Sequence, residues 1–379
     1  SPIYKDNIPQ VDSLPVERQK NAGAISLGKT NTPEFGAGSQ TFNTLFGATL
    51  NPYDRTKTCG GSSGGGAVAL AAGMVALADG TDLAGSLRNP ANFCNLVGMR
   101  PSVGRVPTWP EQLGWYTMSV AGPMARSVED LALMMSVLSG PDDRSPIALE
   151  SPVSIFNIPL QRNLKGCKVA YSEDLGGLPL EPEVRTVMRA AREVFERLGC
   201  DVIDDEIDLN EAGEIFMMWR AWRTELRIAP LLTSHKDQLK DTVIWNAEQG
   251  VGLTGPQMAR AEAKRTEIYH RMREFMNTYE FFVLPVNQVV PFSVDLDYPR
   301  EINGVKMETY IDWQKTAYFI SAMGNPAISV PAGFTDSGLP VGVQIVGGHR
   351  QDLAVLQMAY AFEQATQFGL KRPSICTVA

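Results

Sequence analysis

Two serines that lie in runs of small residues are the side chains in this sequence best suited to nucleophilic chemistry. Ser62 lies in the run Gly60-Gly-Ser-Ser-Gly-Gly-Gly66, and Ser86 follows it by 24 positions in the run Asp82-Leu-Ala-Gly-Ser-Leu-Arg88. Small residues let backbone N–H groups approach a ligand closely, and such groups can stabilise the oxyanion that forms when a serine attacks a carbonyl carbon. The two runs are therefore typical of a site for acyl transfer.

A serine nucleophile needs a base, and the sequence does not supply a histidine for that role. The three histidines, His235, His270 and His349, all lie far along the chain from both serine runs. A lysine could serve instead, and Lys5 lies near the start of the sequence. Alone, such a lysine is usually a solvated charge and a Gly-Ser run is usually a flexible loop, so the hypothesis depends on the three residues acting together.

A series of motifs from about residue 4 to residue 353 resembles the amidase signature family, in the order that the family has them. One Gly-Ser run would be weak support, whereas an ordered series over nearly the whole chain is specific. Besides the two serine runs, the blocks are Gly28-Lys-Thr-Asn-Thr-Pro-Glu-Phe35, Gly47-Ala-Thr-Leu-Asn-Pro52, Gly122-Pro-Met-Ala-Arg-Ser127, Gly324-Asn-Pro-Ala-Ile-Ser-Val-Pro331 and Gly338-Leu-Pro-Val-Gly-Val-Gln344.

The resemblance implies a fold class and a reaction. The fold is α/β, with a large central mixed, partly parallel sheet flanked by helices, and residues 1–379 form a single domain. The reaction is hydrolysis of a carbon–nitrogen amide-type bond without a cofactor or a metal. In that reaction Ser86 is the nucleophile, Ser62 follows a cis peptide bond from Gly61 and relays the proton, and Lys5 is the base. Lys5 must be neutral for this, so we expect it to be buried and close to Ser62.

The turn around Ser86 is expected to provide the oxyanion hole. Its donors would be the backbone N–H groups of Leu83, Ala84, Gly85 and Ser86, because a tight turn of small residues can point successive amides in one direction. Most relatives in the resembling family have glycine where Ala84 stands. That difference narrows the allowed backbone angles but leaves the N–H group in place.

Four further residues are expected to support the site. Asp82 and Arg88 flank the turn and should brace it through an ion pair and backbone hydrogen bonds, and Ser63 should support the first serine run. The carbonyl of Gly36 matches a family position that accepts a hydrogen bond from the substrate N–H.

The segment after Lys5 departs from the family's pattern. Ala22 follows Lys5 by only 17 positions, where relatives carry a longer loop, and the usual helical segment before the lysine is absent. We interpret this as residues missing from the sequence before Ser1 and between Asp6 and Pro9. The missing loop would lie over the active site.

Composition limits the partners of the protein. Of the 379 residues, 44% are hydrophobic and 20% are charged, as in an ordinary globular protein, and the formal net charge is −8. An acidic chain argues against nucleic acid and anionic membranes as partners, and we expect a small substrate that is not strongly anionic. The five cysteines have no C-x-x-C spacing, which favours free buried thiols in the cytoplasm.

Hydrophobic periodicity predicts the main elements. An amphipathic helix over residues 182–198 between short strands at 167–172 and 200–203 predicts a β-α-β unit with parallel strands. The apolar run at 67–78 predicts a buried helix that aims free N–H groups at the first serine run. The remaining predictions are helices from residue 13 to 21, after Ser127 and through most of 210–278, and strands at 24–27, 281–284 and 327–330, the last two ending at proline.

The motifs favour one function and leave two alternatives open. The first is a stand-alone amidase, as a monomer or a homodimer, and aromatic residues near the expected pocket segments favour bulky aryl amides, anilides or carbamates (urethanes) as its substrates. These aromatic residues are Trp109, Trp115, Tyr116, Trp219 and Trp222. Trp219 and Trp222 also fit a helix core, which is the commoner use of such a stripe. The second function is that of the amidase subunit in a tRNA-dependent glutamine transamidation complex, and the third is that of a non-catalytic binding protein.

Overall fold

The structure is a computed structural model that describes residues 1–376. Its strands are β1 Phe42–Asn43, β2 Gly47–Ala48, β3 Leu77–Asp82, β4 Val97–Arg100, β5 Val120–Ala125, β6 Lys168–Tyr171, β7 Asp201–Asp204, β8 Phe281–Pro285, β9 Glu301–Ile302, β10 Val305–Lys306, β11 Ala327–Phe334 and β12 Pro340–Gly347. Its α-helices are α1 Leu14–Asn21, α2 Gly64–Ala71, α3 Arg88–Phe93, α4 Val128–Leu138, α5 Pro182–Arg197, α6 Ala212–Ser234, α7 Asp241–Val251, α8 Gly255–Thr278, α9 Lys315–Met323 and α10 Asp352–Thr366.

Eight strands form one sheet in the order β3-β5-β4-β11-β12-β8-β6-β7. Neighbouring strands from β3 to β8 are antiparallel, whereas β6 runs parallel to both β7 and β8. The fold class predicted from the sequence, an α/β fold with a mixed, partly parallel sheet, is therefore confirmed. The predicted β-α-β unit is β6-α5-β7, and Gly199 ends its helix segment with a positive φ of 88°.

Helices cover both faces of the sheet. Side chains alternate between the two faces along a strand, so one strand can contribute to the core on each side. On β8, Phe281 and Val283 pack into one core with α4, α5 and α10. Phe282 and Leu284 pack into the other core, with α6, α8 and α9. The predicted helical region at 210–278 supplies α6, α7 and α8, and the second of these cores lies beneath it.

Three element predictions need correction. Residues 24–27 do not form a strand, and Ile25 and Leu27 are 86% and 74% exposed. The apolar run at 67–78 is helical only to Ala71, because Gly73 takes a φ of +73° and the chain then enters β3 at Leu77. The strand predicted at 327–330 continues through Pro331 as β11, with a shift of register after that proline. Within residues 1–376, none of the helices combines the length and apolar character that a membrane crossing requires.

Candidate active site

The two serine runs lie side by side at one end of the sheet. The backbone N–H of Ser63 donates to the carbonyl oxygen of Ser86 at 3.2 Å, and the peptide bond between Gly61 and Ser62 is cis. Ser62 is buried, with 7% of its surface exposed, and Ser86 is half-buried. The side-chain amide of Asn89 donates to the carbonyl of Gly61 at 2.9 Å, so the start of α3 also holds the first run in place.

Glycines of the first run are required by close packing rather than by flexibility. A Cβ at Gly64 would overlap the Thr41 side chain, and a Cβ at Gly65 would overlap the backbone of Asn31. The same neighbours accept the first N–H groups of α2, at 3.2 Å from Gly64 to Thr41 Oγ1 and at 3.2 Å from Gly65 to the Asn31 carbonyl. The expectation that these N–H groups are free to face the site was therefore wrong.

Asp82 organises the turn that carries Ser86. Its carboxylate accepts the backbone N–H of Gly85 at 3.1 Å and that of Leu87 at 3.3 Å. Arg88 donates to both carboxylate oxygens, from Nε at 3.0 Å and from Nη2 at 2.9 Å, and both side chains are fully buried. The ion pair expected between Asp82 and Arg88 is present, and it stabilises the turn.

A second arginine, which sequence reasoning missed, completes this ionic group. Arg100, the last residue of β4, donates from Nη1 to the carbonyl oxygen of Asp82 at 2.6 Å and to its carboxylate at 3.2 Å. Burial alone would raise the pKa of Asp82, but the charges and hydrogen bonds of Arg88 and Arg100 hold it well below its usual value. Burial lowers the pKa of Arg100 to about 10, although Asp82 acts in the opposite direction. An arginine at the end of an otherwise apolar strand is the signal that could have identified it.

Three of the four residues expected to form the oxyanion hole line the cavity, and the N–H of the fourth is already used. Leu83, Ala84 and Ser86 line a cavity of about 380 Å³, which Ser62 and Gly36 also line. The N–H of Gly85 instead donates to Asp82, so the assignment of Gly85 to the oxyanion hole was wrong. Gly85 has a φ of +102°, and a Cβ there would come within 2.6 Å of the Ala317 Cβ. Its contribution is to let the turn form.

Gly36 reaches the cavity through a tight turn. Phe35 and Gly36 both have positive φ, 54° and 70°, and the N–H of Gly36 donates back to the carbonyl of Pro33 at 2.9 Å. Gly36 lines the cavity that contains Ser62 and Ser86. Its carbonyl therefore stays a candidate acceptor for a substrate N–H.

Lys5 does not lie where the sequence led us to expect it. It is exposed, as the residue that ends a short 3-10 turn, Pro2–Tyr4, and it is absent from the residues that line the cavity. In residues 1–376 no hydrogen bond joins Lys5 to Ser62 or Ser86. The expected burial of Lys5 beside Ser62 was therefore wrong, because none of residues 1–7 lines the cavity.

The aromatic residues expected at the pocket do not line this cavity. Tyr116, Trp219 and Trp222 pack on one another with ring centroids 5.6–6.1 Å apart, beside the core under α6. Trp115 is 75% exposed, and Trp109 lies under the guanidinium of Arg144. The core interpretation of the α6 stripe is correct, and the aromatic rings that the cavity has are Phe35 and Tyr310.

The cavity is instead lined by a row of arginines that sequence reasoning overlooked. Arg220, Arg223 and Arg227 of α6 all line it, together with Glu111. Residues three, four and seven positions apart share one face of a helix, so their spacing was a usable signal. Arg223 donates to Glu111 at 3.3 Å.

Comparisons with known proteins agree with one another. The family model described as Amidase matches residues 1–356. An acylamidase of Rhodococcus erythropolis is 36% identical over 374 residues, which covers 97% of this chain and 78% of that protein. A glutamyl-tRNA(Gln) amidotransferase subunit from Synechococcus sp. (strain RCC307) is 31% identical over 404 residues, covering 100% of this chain and 82% of that protein. The solved structure of a bacterial aryl acylamidase of the amidase signature family superposes with a TM-score of 0.89 at 29% identity, covering 96% of this chain and 78% of that one.

Proposed function

Because this chain belongs to the amidase signature family and is an amidase, we propose that it hydrolyses its substrates through an acyl-enzyme on Ser86. The observation that carries the proposal is that Ser62 and Ser86 open into one cavity while a backbone hydrogen bond ties their runs together. A nucleophile and a proton relay must lie within reach of the same substrate carbonyl, and this arrangement provides that.

The proposed reaction has two steps with one proton path. Ser86 Oγ attacks the amide carbon while Ser62 takes its proton and passes its own hydroxyl proton to the base, Lys5, and the N–H groups of Leu83, Ala84 and Ser86 donate to the oxyanion. Ser62 then gives a proton to the nitrogen and is reprotonated by Lys5, and the amine leaves. Water attacks the acyl-enzyme by the same path, which releases the acid and restores Ser86. The carbonyl of Gly36 would accept the substrate N–H and so orient the bond that breaks.

Lys5 remains the proposed base, and that role requires residues 1–6 to move inward. Tyr4 packs edge-on against Phe35 with centroids 5.9 Å apart, and Phe35 lines the cavity, so the segment already contacts the rim. The match to the amidotransferase subunit extends over 404 positions, against 379 residues here. That relative carries residues which this chain lacks, and the proposal places such a loop between Asp6 and Pro9.

For the substrate we propose aryl amides and anilides, with aryl carbamates as a related class. The support is the likeness to a bacterial aryl acylamidase and to an acylamidase, together with the rings of Phe35 and Tyr310 in the cavity wall. Hydrolysis of an anilide, a primary amide, an aryl carbamate and glutamine should be compared on the purified protein. We expect the anilide to have the highest kcat/KM, and a preference for glutamine would contradict this choice.

The test of the nucleophile is covalent labelling. A fluorophosphonate should attach once per wild-type chain, at Ser86, which mass spectrometry measures. Ser86→Ala should abolish both the adduct and turnover. Ser119→Ala is the matched control, because it removes a hydroxyl from the same cavity without touching the proposed path, and it should keep the adduct. Labelling at another serine would contradict the mechanism, and a protein that neither reacts nor hydrolyses would be a binding protein on this fold.

A second candidate function is that of an amidase subunit in tRNA-dependent transamidation. It is favoured by the amidotransferase subunit that matches the whole chain at 31% identity. Such a subunit passes ammonia to a partner, so activity with glutamine should rise when the partner is present. Purification from its own cells with a stable second subunit and glutaminase activity would support it over a stand-alone enzyme. We expect instead that the isolated chain hydrolyses anilides. We propose the cytoplasm as the compartment of the protein.

A further inference from the structure

We propose, on the premise of the amidase function above, that the cavity selects amides that carry a carboxylate, which Arg220 and Arg223 bind. The carboxylate lies on either the acyl part or the amine part of the substrate. This substrate class differs from the expectation, drawn from overall charge, of a substrate that is not strongly anionic. Overall charge describes the surface, whereas the cavity wall decides which ligand enters.

Arg220 is a buried cation without a carboxylate partner. Its exposed fraction is 6%, and in residues 1–376 no Asp or Glu oxygen lies within 4.0 Å of it. Its hydrogen bond goes from Nη2 to the side-chain oxygen of Asn246. A buried charge is costly unless it is paired, so an unpaired guanidinium that lines a cavity indicates a ligand that supplies the counter-charge.

Arg220 is held in a fixed orientation for such a ligand. Its guanidinium carbon lies 5.6 Å from the ring centroid of Trp245 and 5.4 Å from that of Tyr310. Asn246, which accepts from Arg220, donates to the Tyr310 hydroxyl at 2.7 Å and to the Thr242 carbonyl at 2.7 Å. The rings offset part of the cost of the buried charge, but they do not use the remaining N–H donors. A planar guanidinium group held in this way can donate two parallel hydrogen bonds to a carboxylate.

The rest of the cavity wall has the same sign of charge. Three arginines, Arg220, Arg223 and Arg227, line it against one carboxylate, Glu111, in a protein whose net charge is −8. Glu111 forms a pair with Arg223 that is open to solvent, with 34% of its side chain accessible, so it can give way to a ligand. A cationic cavity in an acidic protein attracts anions and disfavours cations.

Gln314 adds a neutral donor to the same cavity. It is 2% exposed and lines the cavity, and within the described residues its Nε2 has no hydrogen-bond acceptor. A buried amide donor without an acceptor is costly, so the side chain is set to donate to a ligand oxygen. The site therefore offers guanidinium and amide donors, which match a carboxylate and the carbonyl of an amide.

The test compares shape-matched substrates that differ in charge. On the acyl side, succinyl 4-nitroanilide is compared with 4-methylpentanoyl 4-nitroanilide. On the amine side, butanoyl 4-aminobenzoate is compared with butanoyl 4-isopropylaniline. We expect the wild-type protein to prefer one of the two carboxylates over its neutral match by about tenfold to a hundredfold in kcat/KM, the range for hydrogen bonds to a charged group. Arg220→Met and Arg223→Gln should each reduce that ratio at least fivefold, whereas Arg260→Met, on the exposed face of α8, should keep it.

Binding without turnover separates this inference from the amidase function. Ser86→Ala protein is titrated with benzoate and with benzamide by calorimetry, and we expect benzoate to bind at least tenfold more tightly and to lose that advantage in Ser86→Ala/Arg223→Gln. Equal binding of the two probes, or neutral substrates cleaved as fast as both carboxylates, would overturn the carboxylate site while leaving the amidase intact. Absence of hydrolysis together with selective benzoate binding would overturn the proposed function and keep the site. A charge preference that survives both arginine substitutions would overturn the assignment to Arg220 and Arg223.

Discussion

The backbone N–H of Ser63 donates to the carbonyl oxygen of Ser86 at 3.2 Å, which joins two segments that are well separated along the chain. Through this bond, the position of Ser62 depends on the turn that carries Ser86. Asp82 holds that turn, because its carboxylate accepts two of the turn's backbone N–H groups and binds Arg88 and Arg100. The two serines are therefore placed by a buried ionic group that touches neither hydroxyl.

Asp82→Asn is expected to destabilise the protein strongly. The substitution leaves two fully buried guanidinium groups with a neutral partner, and breaking a buried ion pair on one side costs about 3–5 kcal/mol. Urea unfolding at pH 7 measures this. Asp12→Asn is the control, because its pair with Lys20 is exposed and should be worth less than about 1 kcal/mol. Equal effects of the two substitutions would mean that the ionic group does not hold the turn.

Gly85→Ala is expected to reduce both stability and turnover, and Ala317→Gly is expected to restore part of each. The added Cβ would come within 2.6 Å of Ala317 at a φ of +102°, which together should cost about 2–4 kcal/mol. Gly166→Ala isolates the backbone part, because Gly166 has a φ of +75° with open space around it. A double-mutant cycle on thermal unfolding and kcat then gives the steric part. No recovery in the double variant would place the strain elsewhere.

Glu363 is expected to make stability fall as pH rises from about 4.5 to 7. Burial raises the pKa of this carboxyl to about 7, against the N–H of Val128, which donates to it at 3.0 Å. A raised pKa means that the folded state holds the proton more tightly, so the stabilisation is complete below pH 4.5 and is lost as pH rises through 7. The loss should be about 1–3 kcal/mol in the free energy of unfolding.

Glu363→Gln is the variant that checks this dependence. Glutamine keeps an acceptor for the Val128 N–H and cannot ionise, so the variant should be more stable than the wild type above pH 7 and similar to it near pH 4.5. Denaturant unfolding at a series of pH values measures the difference. A variant curve parallel to that of the wild type would show that another group titrates.

Local periodicity predicted the elements whose stability is local, and it failed where a distant partner decides. The stripe from Val184 to Phe195 fixes the buried face of α5 whatever surrounds it, and that helix was predicted within one residue at its end. Residues 24–27 alternate as a strand does, but in the described part of the chain no neighbouring strand pairs with them. Arg220 was overlooked because most helical arginines are solvated, and its burial depends on Asn246 and Tyr310, which come from later parts of the chain.

The candidate site shows the same division. The motif residues Ser62, Ser86 and Gly36 meet at one cavity, because the order and spacing of the blocks specify where the chain returns to the same end of the sheet. The hydrogen bond that removes Gly85 from the oxyanion donors depends on how the Asp82 carboxylate is turned. A sequence states that an aspartate is present, but not which N–H groups its two oxygens accept.

Lys5 gives the most demanding test of the mechanism. If it is the base, Lys5→Ala should lower kcat by about 10²–10⁴, the usual contribution of a general base, and Lys5→Arg should not restore it, because a guanidinium stays protonated. Lys20→Ala is the matched control, since Lys20 is an exposed lysine in the same N-terminal region, and it should leave kcat unchanged. Lys5 is exposed in this structure, so its amine should react with an acylating reagent in the free protein. Fluorophosphonate labelling of Ser86 should protect that amine, because Lys5 must move in beside the labelled serine to act as its base. Full activity in Lys5→Ala, or equal reactivity of Lys5 before and after labelling, would remove it from the site and leave Ser62 with a base from another part of the chain.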